Sequence, residues 1–113
     1  VGIRINNIGF RGEDVNLEKE PGVSRIVMLG DSFTFGAGVN DDETFPAVLE
    51  EMLLASGTGK FEVLNLGVES YSPILEYILL KRNIDRLDPD IVVMNLDMSD
   101  IMNEFVYRKQ ASL

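Results

Sequence analysis

The sequence lacks histidine and cysteine altogether. Without cysteine there is no disulfide and no thiolate nucleophile, and the redox compartment is unmarked. Without histidine the usual general base and the commonest metal ligand are missing. Positive charge is also scarce: 10 Lys and Arg stand against 19 Asp and Glu, for a net charge of -9. A phosphate backbone demands a basic face, so this balance speaks against nucleic acid. It speaks equally against adhesion to anionic membranes. The acidity reads as solubility. No apolar run approaches the ~18 residues of a membrane span. Residues 1–7 carry no long apolar stretch of the signal-peptide kind. No internal repeat and no low-complexity stretch interrupts the chain.

What is there suffices for one small domain. The chain has 113 residues, 45% of them hydrophobic, so a core can be built. It begins with valine instead of methionine, and the expectation is a processed chain or a piece of something longer. Its organising stretch is 24–39. The apolar run 26–29 stops at Gly30, Asp31 and Ser32 follow, and Gly36 and Gly38 punctuate a loop. Such a run, bounded by glycine, reads as a buried strand over 25–30. In a parallel sheet Asp31 and Ser32 then lie at the carboxyl edge, where open α/β sheets bind ligands.

Residues 1–23 read as a lead-in. Ile3 and Ile5 alternate like a short edge strand, Asn6-Asn7 and Gly9 like turns, and 12–23 like a solvated acidic loop. A helix is predicted from near Thr44, with Pro46 in its first turn. Phe45, Val48, Leu49, Met52 and Leu53 make its apolar stripe, and the methionines and phenylalanines of the helices read as core filler. A second strand is predicted over 61–66, ending at Gly67. Ser72-Pro73 then starts a second helix that runs to about Leu87. Asp88-Pro89-Asp90 ends it. Residues 91–96 read as a third strand, apolar enough to be covered on both faces. The tail from Ile101 reads as the start of a further helix. Strand and helix alternate, which predicts right-handed βαβ units over 24–113 and a three-layer α/β/α, flavodoxin-like parallel sheet, incomplete with only three strands. The third strand leaves an open apolar edge, which the missing part of the parent protein, a partner or self-association would cover.

Three loops leave the three strand ends. They carry Asp31 and Ser32, then Asn65 and Gly67, then Asp97, Ser99 and Asp100. A serine beside a glycine N–H and a short polar side chain has the parts of a nucleophile with an oxyanion hole. Gly67 lets a backbone N–H approach a substrate oxygen with no Cβ in the way. The rival reading of Ser32 is a turn residue. Asp31 suits an Asx turn. Gly36 and Gly38 lack the spacing of a phosphate-binding loop. Asp31, Asp97 and Asp100 are a candidate set for a hard cation such as Mg²⁺. Phe33 and Tyr71 either wall a pocket or pack.

Gly30-Asp31-Ser32-Phe33 resembles the Gly-Asp-Ser block of the SGNH (GDSL) hydrolases. The likeness extends to Asn6-Asn7-Ile8-Gly9-Phe10-Arg11-Gly12, which is similar to the lead-in of one bacterial branch. It extends further to Asp42-Glu43-Thr44-Phe45-Pro46, to Asn65-Leu66-Gly67-Val68 with Tyr71-Ser72, and to 87–93. The resemblance implies an ester hydrolase (an esterase, a lipase or an acetyl-ester hydrolase) acting on a small-molecule ester and needing no cofactor or metal. Ser32 would be the nucleophile. The backbone N–H groups of Ser32 and Gly67 and the side chain of Ser99 would form the oxyanion hole, with Asp31 and Asp100 in support. Ser99 stands where the family's Gly-x-Asn-Asp block has asparagine, so a hydroxyl replaces an amide donor. The family's Asp-x-x-His block is absent, so the chain is expected to be an N-terminal portion, inactive alone, whose base lies downstream. The reading from another class is a non-catalytic flavodoxin-like module binding a small ligand or cation at the same crevice. A third is a structural remnant that associates through its third strand.

Overall fold

The computed structural model describes residues 2–69 and 71–96. Its sheet is built around β1 (Val23–Gly30), whose residues from Arg25 onward are buried. β2 (Lys60–Gly67) pairs with it in parallel, from Val23 opposite Lys60 to Gly30 opposite Gly67. β3 (Ile91–Met94) runs parallel along its other side, opposite Ile26 to Leu29. The order is β2-β1-β3. A short α1 (Ser32–Phe35) follows β1 directly. Then come a 3-10 turn at Asp41–Glu43, α2 (Phe45–Ala55) and α3 (Pro73–Leu87). With this strand order, right-handed crossovers carry α2 and α3 to opposite faces of the sheet and make three layers. No helix among the described residues is long and apolar enough to cross a membrane.

Alternate residues of a strand share a face, so Val27 and Leu29 line up with Leu64 and Leu66 across the parallel register. This patch packs with Leu87, Leu79 and Leu80 of α3 and with Phe10 and Val15 of the lead-in. The lead-in is the largely exposed loop expected over 12–23, but it is anchored through buried Val15. Its acidic side chains face water, but its backbone is strapped down by Arg25. That buried guanidinium donates to the Leu87 carbonyl at the end of α3 (2.7 Å), to the carbonyls of Asn16 and Leu17, and to Glu62 (2.9 Å). Ile3 and Ile5 make no strand. Asn6 Oδ1 accepts the N–H groups of Ile8 and Phe10, and in this tight reversal Ile5 makes an isolated bridge with Arg11, which bridges in turn to Asn65.

The helix starts fall where expected. Thr44 accepts the Ala47 N–H at 3.3 Å and caps α2, with Pro46 in the first turn. The inward face of α2 is not the one expected. Phe45 is 50% exposed and Met52 66% exposed, so neither is core filler. The helix is instead turned to bring Glu50 to the edge of β2, where its carboxylate accepts the Val63 N–H at 3.0 Å. An edge strand has unpaired N–H groups, and the Glu50 carboxylate satisfies one of them. Burial raises the Glu50 pKa, opposed by that same hydrogen bond. Ser72 precedes α3 as expected, yet its buried hydroxyl makes no capping bond. Asp88, at φ 44°, closes the helix with its N–H on the Ile84 carbonyl. Asp90 then exchanges two 2.8 Å bonds with the Arg25 backbone and aligns β3 with β1. β3 ends at Met94 and is half-exposed, with Ile91 49% accessible, because it is an edge of the described sheet. The expected tail helix lies outside the described residues.

Candidate functional site

The parallel register brings the three strand ends together. Gly30 lies opposite Gly67, and the Asn95 N–H donates to the Leu29 carbonyl at 2.9 Å. The chain leaves β1 at Asp31, whose buried carboxylate accepts the Phe33 N–H at 3.0 Å. This Asx turn caps α1 and puts Ser32 at its first position, half-exposed. A backbone N–H at that position has no partner within the helix. α1 lasts four residues because Gly36 takes a left-handed conformation, φ 90°, and folds its N–H back onto the Ser32 carbonyl at 2.9 Å.

α1 sits directly on the carboxyl edge of the sheet, and two glycines make room for it. A Cβ on Gly30 would lie 2.0 Å from Thr34 Oγ1, and a Cβ on Gly67 would lie 2.3 Å from the backbone nitrogen of Phe35. The Gly67 N–H, expected to face a substrate oxygen, donates here to Asn65 Oδ1 at 2.9 Å. The same Asn65 side chain donates through Nδ2 to the Thr34 carbonyl at 2.9 Å. Asn65 thus ties the glycine to the helix that carries Ser32. Thr34, the buried residue of α1, accepts from Asn95 Nδ2 at 3.2 Å.

Arg11 holds the loop behind the serine. Its guanidinium is buried and donates to five oxygens: the carbonyls of Phe35, Gly36, Val39 and Gly2, and Asp41 Oδ1 at 2.8 Å. It also lies 5.2 Å from the centre of the Phe35 ring. Sequence reasoning assigned Arg11 no role, and its one signal was its place in the lead-in block. Carbonyl oxygens have no sequence signature, so the network was invisible.

Asp41 is held below its ordinary pKa by the hydrogen bond from Arg11, against the cost of desolvation and with help from the Arg4 N–H. Asp90 shifts the same way, chiefly through the Arg25 N–H. A carboxyl with a lowered folded-state pKa contributes stability that is present above its unfolded value and lost as pH falls through the folded one. Melting temperature is therefore expected to drop as pH falls below about 4. Asp41→Asn should flatten that slope without abolishing it, because Asp90 remains. An unchanged slope in a calorimetric series on the variant would rule out the Arg11–Asp41 pair as its source.

A groove of about 570 Å³ opens beside Ser32, between α1 and α2, with Phe33 in its wall. Tyr71 does not line it. A larger cavity of about 780 Å³ lies elsewhere, lined by Arg4, Glu13, Glu50 and Glu62 among others, and does not include Ser32. Ser99 and Asp100 lie outside the described residues, as does Asp97 of the candidate cation set. Among the described residues, no three acidic, histidine or cysteine side chains gather to hold a metal.

A central parallel strand that ends in a serine-bearing turn seated on two glycines defines a class, and the chain has the fold of SGNH-hydrolase esterases. It superposes on the crystal structure of AlinE4, described as an SGNH-hydrolase family esterase. The TM-score is 0.64 at 24% identity, over 76% of this chain and 46% of that one. Two mutants of the same esterase, one aspartate-to-alanine and one serine-to-alanine, match with TM-scores of 0.63 at 22% and 21% identity. Each match covers 81% of this chain and 57% of the other. The chain thus spans about half the length of the solved structures it matches. No protein-family model and no curated protein matches it.

Proposed function

We propose that this chain is the nucleophile-bearing portion of a serine ester hydrolase of the SGNH type. The observation that carries the reading is the position of Ser32. It is the half-exposed first residue of a helix at the carboxyl end of the central strand, in a fold shared with an SGNH esterase. In this reading Ser32 Oγ bonds to the acyl carbon of a small-molecule ester as its proton passes to a base. The alcohol leaves, and water then releases the acid from the acyl-enzyme. The backbone N–H of Ser32 is one oxyanion donor. The Gly67 N–H becomes a second once Asn65 Oδ1 lets it go, and the Ser99 hydroxyl is the third. Asp31 fixes the turn, and Asp100 keeps in this reading the supporting role that the family resemblance implies.

The base is not among these 113 residues, which contain no histidine, and an ordinary carboxylate is too weak to replace it. It comes from sequence beyond them, consistent with the half-length match to AlinE4. The test is fluorophosphonate labelling, mapped by mass spectrometry, on this chain and on the longest product of its gene. Ser32 is expected to label only in the longer product and not at all in Ser32→Ala. Absence of label from both would make Ser32 a turn residue and overturn the reading.

A further inference from the structure

Thr34 is held from both flanks of β1. On the β2 side, Asn65 Nδ2 donates to its carbonyl at 2.9 Å and to the Phe35 carbonyl at 3.4 Å. On the β3 side, Asn95 Nδ2 donates to its hydroxyl at 3.2 Å and to the Leu29 carbonyl at 3.3 Å. Each amide has one permitted orientation. Asn65 Oδ1 accepts the Gly67 N–H, and a flipped amide would set that oxygen against two carbonyls. A flipped Asn95 would set its oxygen against the Leu29 carbonyl. Thr34 follows Ser32 by two residues on α1. Residues two apart on a helix point about 200° apart, nearly opposite. Pressing Thr34 onto the sheet therefore turns Ser32 away from it: Thr34 is 1% exposed, while Ser32 is half-exposed. α1 does not set this rotation itself. It is four residues long and ends at Gly36, and a single turn is not stable on its own hydrogen bonds.

We propose that Asn65 and Asn95 are positioning residues for the ester hydrolysis. Acting through Thr34, they fix the rotation of α1 and with it the direction of Ser32 Oγ. The inference rests on Ser32 as the nucleophile and adds what aims it. Attack on an acyl carbon needs the oxygen aligned and within about 3–3.5 Å, and an error of about 1 Å costs on the order of 10²-fold in rate. Losing one grip frees α1 to turn about its axis while the other still holds it to the sheet. The cost then falls on the chemical step and not on the binding of the ester. The β2 position calls for an amide, because one side chain must accept from Gly67 and donate to Thr34. Aspartate would keep the acceptor, lose the donor and set a carboxylate against the carbonyls of Thr34 and Phe35.

The test uses the longest product of the gene, with p-nitrophenyl acetate as substrate and a fluorophosphonate to count reactive Ser32. Thr34→Val replaces the hydroxyl that Asn95 holds with a methyl, and Asn65→Asp removes the donor from β2. Each is expected to lower kcat per labelled serine at least about tenfold, with KM within about twofold of wild type. Thr34→Ser keeps the hydroxyl and should restore kcat to within about twofold. If Asn65→Asp does not fold, Asn65→Ser takes its place, since a serine hydroxyl still serves the nearby Gly67 N–H but does not reach Thr34. Residues that served folding alone would lower the fraction of serine that labels and leave kcat per labelled site unchanged. That result would overturn the proposal, and so would equal losses in Thr34→Ser and Thr34→Val. The two levels of the reading separate in the wild-type protein. Absence of label on Ser32 there would overturn the nucleophile and its positioning together. Normal labelling there, with unaltered turnover in the Asn65 and Thr34 variants, would overturn the positioning alone.

Discussion

Gly67→Ala is expected to push α1 off the edge of the sheet and to destabilise the protein by about 1–3 kcal/mol or more. The new methyl would lie 2.3 Å from the Phe35 nitrogen and 2.7 Å from the Thr34 carbonyl carbon. Both obstacles are backbone, so no rotamer change relieves them. Yielding means moving α1, and with it Ser32, away from β2, which would break the 2.9 Å bond from Asn65 to the Thr34 carbonyl. Gly30→Ala also clashes, with Thr34 Oγ1 at 2.0 Å and Thr34 Cβ at 2.7 Å; a rotamer change moves the hydroxyl but not the Cβ, so α1 must shift there too, by less than the 2.3 Å backbone clash at Gly67 demands. The expected order of urea midpoints is wild type, then Gly30→Ala, then Gly67→Ala, with unchanged slopes. A Gly67→Ala midpoint equal to wild type would show that α1 does not bear on the glycine.

Arg11→Met is expected to cost about 3 kcal/mol, the lower end of the range for removing one member of a buried charge pair. The lower end applies because Asp41 is 38% exposed and can rehydrate. The carbonyls of Phe35, Gly36, Val39 and Gly2 lose their donor at the same time. Arg11→Lys should recover only part of the loss. An ammonium offers three donors from one point and cannot reproduce a planar fork across five acceptors. Amide exchange across 36–41 should quicken markedly in both variants, since that loop has Arg11 at its centre. Unchanged protection there would show that the loop holds itself.

The sheet was legible because its cues are local. A short apolar run that stops at glycine favours a strand over a helix, and Thr44-Phe45-Pro46 and Ser72-Pro73 mark helix starts with proline in the first turn. The rotation of α2 was not legible. Periodicity finds an apolar stripe but does not say what it faces: Phe45, Val48 and Met52 face outward, while Glu50 accepts the Val63 N–H at the edge of β2. The buried arginines were hidden for a related reason. Arg11 and Arg25 each spend most of their donors on backbone carbonyls, which every residue has. At the site, the strand-to-turn placement of Ser32 and the Asx role of Asp31 could be read from three letters. The engagement of the Gly67 N–H by Asn65 required the backbone path of β2 to be known.

The central place of β1 has a consequence for synthesis. Both of its partners, β2 and β3, are encoded after it, and the earlier lead-in borders β2 through the Arg11–Asn65 bridge. At about 5–20 residues per second, the ribosome releases the most apolar strand several seconds before either neighbour exists. The nascent chain therefore passes through an interval in which 26–29 is a naked template for any passing strand. Its acidic lead-in, made just before it, carries Glu13, Asp14, Glu18 and Glu20 out of the tunnel ahead of that strand.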